Sequence, residues 1–219
     1  MASQTVENYI KTIYLLTEMD GASATTSALS EKLDTTAASV TDMLKKLAEQ
    51  NLIKYIKYKG VKLNQDGKNM ALQLIRKHRI WETFLHEKLN ISWDSIHDIA
   101  EQLEHVKSDI LIDKLDTMLN YPKYDPHGDP IPDASGKLTY RLQKPLNQSL
   151  SGEKLRIVGV KDHKPNFLKY LDSIPLAIDQ VIEVKEIIEF DHSIQIKVDQ
   201  ENVWTLSEQA AENILVKNI

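Results

Sequence analysis

The chain has 219 residues, 42% of them hydrophobic and 27% charged, with a net charge of −5 and no cysteine. The length suits one large domain or two to three small ones. The missing thiols exclude disulfides, thiolate zinc sites and cysteine nucleophiles, and leave His, Asp, Glu, Asn and backbone groups as metal donors. No apolar run approaches the roughly 18 residues of a membrane span, and the N-terminus has no basic-then-apolar leader, so a cytoplasmic protein with no membrane partner is expected.

Residues 5–18 place Val6, Tyr9, Ile10, Ile13 and Leu16 on one stripe, an amphipathic helix stopped by Asp20-Gly21. A short helix follows over 26–33, then a polar turn at Asp34-Thr35-Thr36 and a third helix over 37–50. Residues 52–63 read as a hairpin turning near Lys59-Gly60. Three helices followed by a basic hairpin make a winged helix-turn-helix. Its third helix would enter a major groove by its N-terminal half, where Thr36, Ala38, Ser39, Thr41 and Asp42 lie. Lys45 and Lys46, farther along, suit phosphates, as do Tyr58 and Lys59 of the hairpin. The small side chains can reach base edges, but none is a strong bidentate reader.

The net charge conceals its distribution. Residues 45–68 hold seven lysines against two acids, a patch suited to DNA, whereas 71–120 hold six bases against nine acids, which suits a cation site. A long helix is expected over 65–90 and further helices over 93–105 and 108–120. Their apolar surface exceeds what a winged helix needs, and the excess reads as a dimerisation face. Residues 121–136 hold four of the seven prolines and read as an extended linker. Period-two strands then appear at 154–160, 180–190 and 193–198, with a short helix at 166–173. A small β-barrel over about 145–219 accommodates them.

Read as one helix, the stretch 97–105 puts His97, Glu101, Glu104 and His105 on one face, and His78 and Glu82 repeat the i, i+4 spacing upstream. Imidazoles and carboxylates presented together form a plausible metal cage. His127 reads as a loop residue and His86 as a surface one.

Glu7-Asn8-Tyr9-Ile10-Lys11, Lys77-His78-Arg79 with Glu82, Ile96-His97-Asp98, Glu104-His105-Val106 and His127-Gly128-Asp129-Pro130 together carry a family pattern. Over nearly its full length the chain resembles the diphtheria-toxin-repressor (DtxR/MntR) family of metal-dependent bacterial transcriptional regulators. The resemblance implies a mainly α chain with a small β domain: a winged helix over 1–72, a helical metal-binding and dimerisation domain with its linker over 73–143, and an SH3-like, FeoA-like domain over 144–219. It implies a primary metal site at Asn8, Glu101, Glu104 and His105. It implies an ancillary site at His78, Glu82 and His97, with a further ligand from the SH3-like domain in the region of His163 and Asn166.

Glu101 stands where iron-responsive members have cysteine, so the all oxygen-and-imidazole set suits Mn²⁺ first and Fe²⁺ next, with Zn²⁺, Co²⁺ or Ni²⁺ able to bind in vitro. Asn8 and Lys11 stand where the best-known manganese type has Asp and Glu, so two separated single-ion sites are expected rather than a two-ion cluster. The expected protein is a homodimeric repressor of metal-homeostasis genes, binding palindromic double-stranded operator DNA and no small organic substrate. A metal-dependent hydrolase is the contrasting reading. It is disfavoured because His-Glu-x-x-His, a phosphate loop and a nucleophile elbow are all missing from the sequence. A metal-independent winged-helix adaptor is a third.

Overall fold

The computed structural model describes residues 3–58, 60–174, 176–198 and 202–219. The chain divides into two compact units. The first comprises 1–78, 103–107 and 132–137; the second comprises 79–102, 108–131 and 138–219.

In the first unit, helix α1 (Gln4–Tyr14) is capped by Ser3, whose side chain accepts from Val6 N, and it buries Val6, Tyr9, Ile10 and Ile13 at helical spacing. The chain continues into a π turn at Leu15–Met19, where Asp20 N donates to Leu15 O. Helices α2 (Thr26–Lys32) and α3 (Ala37–Glu49) start at Thr25 and Thr36, both of which accept from the backbone N–H three residues on. Leu29, Val40, Leu44 and Leu47 form the shared core. Strands β1 (Ile53–Ile56) and β2 (Gly60–Leu63) pair antiparallel, Ile53 opposite Leu63, and make the wing. Gly60 has φ +75°, and a Cβ there would meet Ala24 O at 2.0 Å, because Val61 N donates to the same carbonyl. Glycine is therefore required where the wing docks on the turn before α2. The first half of helix α4 (Gln65–Leu89) completes this unit, and Arg76 and Gln73 donate to the carbonyls of Pro132 and Ala134.

The second unit takes the rest of α4, helix α5 (Trp93–Leu103) and helix α6 (Asp109–Met118), packed through Ile80, Trp81, Leu85, Ile96, Ala100, Ile112 and Leu115. Its second layer is a six-stranded antiparallel sheet. The strands are β3 (Lys144–Pro145), β4 (Lys154–Val160), β5 (Val181–Ile187), β6 (Ile194–Lys197), β7 (Val203–Leu206) and β8 (Ile214–Asn218), in the spatial order β3-β8-β4-β5-β6-β7. Helix α7 (Pro165–Asp172) covers its apolar face with Leu168 and Leu171 against Ile157, Ile182, Val184 and Ile196. The predicted winged helix, helical region and small β domain are all present.

Two local expectations change. Strand β7, helix α8 (Glu208–Asn213) and strand β8 lie in a stretch without a strong period-two signal, and α8 runs into β8 with no intervening loop. Helix α5 ends at Leu103, where Val106 N closes a turn back onto Leu103 O. Glu104 and His105 therefore lie in that turn, and the expectation that they extend the helical face of His97 and Glu101 is corrected. No helix among the described residues is long and apolar enough to cross a membrane.

Candidate metal centres

The first unit gathers Glu7, Asn8 and Lys11 from α1, His78 from α4, and Glu104 and His105 from the turn after α5. Positions 7, 8 and 11 share one helical face, which is why a single helix can present all three. Glu104 is fully buried, and its two oxygens differ. Oε2 lies 2.6 Å from both the Lys11 ammonium and His78 Nδ1, which are themselves 3.2 Å apart. Oε1 makes no hydrogen bond and has His105 Nε2 3.8 Å away. His105 Nδ1 is 2.6 Å from Glu7 Oε2, which leaves Nε2 directed toward Glu104. The Asn8 carbonyl oxygen is buried and also unpartnered. Leaving a buried polar atom unpaired costs about 1–3 kcal/mol. An oxygen–imidazole–amide set left open in this way fits a divalent cation with hard or borderline preferences.

The second unit holds a separate cluster: Glu82 on α4, His97 on α5, Asp125 and His127 in the proline-rich stretch, and His163 just before α7. Glu82 Oε1 lies 3.2 Å from His97 Nδ1 and 3.9 Å from His127 Nδ1. Glu82, Asp125 and His127 are all buried and can point one donor each at a common position. Neither ring nitrogen of His127 has a hydrogen-bond partner, nor does His163 Nε2, although the two rings stack with centroids 4.7 Å apart. Asp125 Oδ1 accepts from the backbone N–H of His127 and Asp129, whereas Oδ2 makes no hydrogen bond and faces Arg79 Nε at 3.5 Å. Burial, with Asp129 and Glu82 close by, pushes the Asp125 carboxyl well above the usual range, and the neighbouring Arg79 only partly offsets this. Burial, together with His163, lowers His127 to about 4, against an opposing pull from Glu82. Gly128 holds this loop against β4: its φ is +92°, and a Cβ would sit 2.2 Å from Val158 O.

The residues singled out in the sequence are thus distributed. Asn8, Glu104 and His105 lie in the first unit, where His78 contacts Glu104. Glu82, His97 and His163 lie in the second, as does Glu101, whose Oε1 is 3.7 Å from His97 Nε2. Asn166 is exposed in the first turn of α7. Three residues escaped the sequence reading. Glu7 was passed over for its neighbour Asn8, although its i, i+4 relation to Lys11 was visible. Asp125 and His127 do lie in a loop, as expected for His127, but both are buried, and His127 has no exposed surface at all. His86 is half-buried and accepts from Trp93 Nε1 at 3.3 Å, so it is a packing residue.

On the winged helix, Thr36, Ala38, Ser39, Thr41, Asp42, Lys45 and Lys46 are all exposed along α3. Several are already engaged. Thr36 caps the helix and bonds Ser39 Oγ at 2.9 Å, Thr41 donates back to Ala37 O, and Asp42 lies 3.4 Å from Lys45 Nζ. Tyr58 is 91% exposed at the wing, with the Lys57 ammonium 5.0 Å from its ring centroid. Lys59 lies outside the described residues.

Comparison with known proteins agrees with this layout. Residues 1–61 match the iron dependent repressor N-terminal DNA binding domain, 64–133 the metal binding and dimerisation domain of the same repressors, and 144–218 the FeoA domain. Over 125 residues the chain is 37% identical to the HTH-type transcriptional regulator MntR of Oceanobacillus iheyensis, covering 57% of this chain and 84% of that protein. Over 128 residues it is 30% identical to the iron-dependent repressor IdeR of Mycobacterium tuberculosis, covering 58% of this chain and 55% of that one, so the match spans about half of that relative's length. A solved structure described as a manganese-dependent transcriptional repressor in complex with manganese matches with a TM-score of 0.85 at 33% identity, covering 98% of this chain and all of that one. With a winged helix, two clusters of oxygen and imidazole donors, and a small FeoA-type sheet in one sequence, the chain belongs to the iron-dependent repressor family, the family of the diphtheria toxin repressor and MntR.

Proposed function

We propose that this chain is a metal-activated, DNA-binding transcriptional repressor of metal-homeostasis genes, working as a cytoplasmic homodimer on palindromic operators. The observation that carries the reading is the meeting of α1 with the 103–107 turn. Glu104 Oε1 has His105 Nε2 at 3.8 Å there, and neither that oxygen nor the buried Asn8 Oδ1 on α1 has a hydrogen-bond partner. The same α1 packs by its other residues into the core of the winged helix. A divalent ion held by these atoms would supply the positive charge they lack. It would stabilise whichever placement of the winged helix brings them together, and it favours DNA binding only to the extent that it binds that state better.

The donors are oxygen and neutral nitrogen, which supports Mn²⁺ first and Fe²⁺ next as effector. In the second unit Glu82, Asp125 and His127, with His97 and His163 alongside, are proposed to hold another ion. Ile110 and Met118 on α6, 77% and 55% exposed, are proposed to form part of the dimer face. Operator contacts are proposed for the exposed residues of α3, with Lys45, Lys46 and Tyr58 on phosphates.

A hydrolase is disfavoured because Glu104, Glu82, Asp125 and His127 are buried, which leaves them poorly placed to meet a substrate. The test is duplex DNA enriched from a random pool in the presence of Mn²⁺, then titrated by fluorescence anisotropy with Mn²⁺ and anaerobic Fe²⁺ after chelation. Retention that rises with metal and falls with chelator is expected. Retention indifferent to chelation would favour a metal-independent adaptor.

A further inference from the structure

We propose that Lys11 is a resident cation of the first centre. Its ammonium fills the position on Glu104 Oε2 and ties α1 to the 103–107 turn with no ion bound, so that the centre takes one divalent ion rather than two. The inference rests on the reading of Glu104 and His105 as metal ligands.

Lys11 Nζ, His78 Nδ1 and Glu104 Oε2 form a triangle with sides of 2.6, 2.6 and 3.2 Å, and all three residues are buried. An imidazole nitrogen and a carboxylate oxygen converging in a dry site make the beginnings of a cation position. Here the cation is covalently part of the protein. The Lys11 stem comes from α1, and its ammonium lies 2.6 Å from Glu104 Oε2 and 3.2 Å from His78 Nδ1, so it supplies charge and hydrogen bonds in one group. The opposite oxygen of the same carboxylate, Oε1, is left with His105 Nε2 at 3.8 Å and no hydrogen bond. One carboxylate thus presents one satisfied and one unsatisfied side. A second divalent ion on the satisfied side would have to displace the ammonium or sit beside it against its charge. Exchanging Lys11 for Glu removes that ammonium and puts a carboxylate in its place beside His78 and Oε2.

The test uses the full chain carrying His127→Leu and Glu82→Gln, which remove the second centre's donors, with Mn²⁺ alone as the probe. Stoichiometry is read by equilibrium dialysis, and coupling between ions by electron paramagnetic resonance. The parent is expected to bind one Mn²⁺ with an uncoupled six-line spectrum. Lys11→Arg is expected to keep one ion, and Lys11→Glu to bind two with the broadened, weakened signal of an exchange-coupled pair. A coupled pair in the parent, or a single ion in folded Lys11→Glu, overturns the inference while leaving the ligand reading intact. If Lys11→Glu does not fold, the parent spectrum and the Lys11→Arg count still decide. A parent that binds no Mn²⁺ overturns the ligand reading itself.

Discussion

The Glu7 carboxylate lies 2.6 Å from Nδ1 of His105, across 98 positions of sequence. With Nδ1 occupied, the imidazole offers Nε2 to the space beside Glu104 Oε1. A carboxylate that fixes the tautomer of a ligand histidine raises its basicity and sets its ring orientation, and removing such a partner costs roughly 10–100-fold in metal affinity. Glu7→Gln should therefore weaken Mn²⁺ binding by about that factor in isothermal titration while leaving the metal-free melting temperature within a few degrees of the parent. Unchanged affinity would mean that Glu7 plays no part in orienting His105.

The second centre has its own signature. His127 is completely buried, with both ring nitrogens unpartnered, so in the metal-free protein it is an expense that an apolar residue would not incur. His127→Leu should lower the Mn²⁺ stoichiometry by one ion per chain. It should also leave the chelated protein about as stable as the parent, since leucine does not carry the desolvation cost of a fully buried imidazole. A variant that keeps the full ion count would remove His127 from the ligand set.

Acid stability separates two opposing groups. His127 sits near 4, below the ordinary value of 6.5, so the unfolded chain binds more protons between those values. Its contribution is fully present above about pH 6.5 and is lost as pH falls toward 4, a swing of roughly 3 kcal/mol at most. Asp125 acts the other way. Its raised pKa contributes stability that is present below the unfolded value near 4 and lost as pH rises through the folded one. Chelated parent and His127→Leu should accordingly diverge in denaturant midpoint between pH 6.5 and 4, the parent losing more. Parallel curves would contradict the assignment.

These cases mark how far the sequence could be read. Periodicity located α1, α3, α4 and the wing because each buries one regular stripe, such as Val6, Tyr9, Ile10 and Ile13. It failed at the 97–105 stretch, where equal spacing on paper is broken by the end of α5 at Leu103. It gave no sign that Asp125 and His127 are buried, or that β8 is inserted between β3 and β4 by a non-local pairing. The donor types were legible. The resemblance divided them into two sites, but it put Glu101 with Glu104 and His78 with Glu82, whereas Glu101 lies beside His97 and His78 contacts Glu104 because α5 ends at Leu103.

On α6, Ile110 and Met118 carry exposed apolar surface that is proposed for the dimer face. Burying a side chain of that size contributes about 1.5–3 kcal/mol, and a two-fold interface uses it twice. Ile110→Glu should shift the chain toward monomer in sedimentation equilibrium and lower operator affinity in parallel. A dimer that survives the change would place the interface elsewhere.

Lys45 and Lys46 are exposed on α3 beyond its first turns. If each neutralises a phosphate, the slope of log affinity against log salt should fall by about 1 for each alanine substitution, with the preferred sequence unchanged. A changed sequence preference with an unaltered salt slope would make them base readers instead.

The central claim is that metal acts through the junction of α1 with Glu104 and His105. Its most direct test is operator affinity of the Glu104→Gln, His105→Ala double variant by fluorescence anisotropy, with and without Mn²⁺, alongside circular dichroism to verify folding. A folded protein whose DNA binding no longer responds to Mn²⁺ is expected, while the parent's affinity rises by at least about tenfold, the equivalent of about 1.4 kcal/mol of coupling. A folded double variant that retains the parent's full Mn²⁺ response would contradict it.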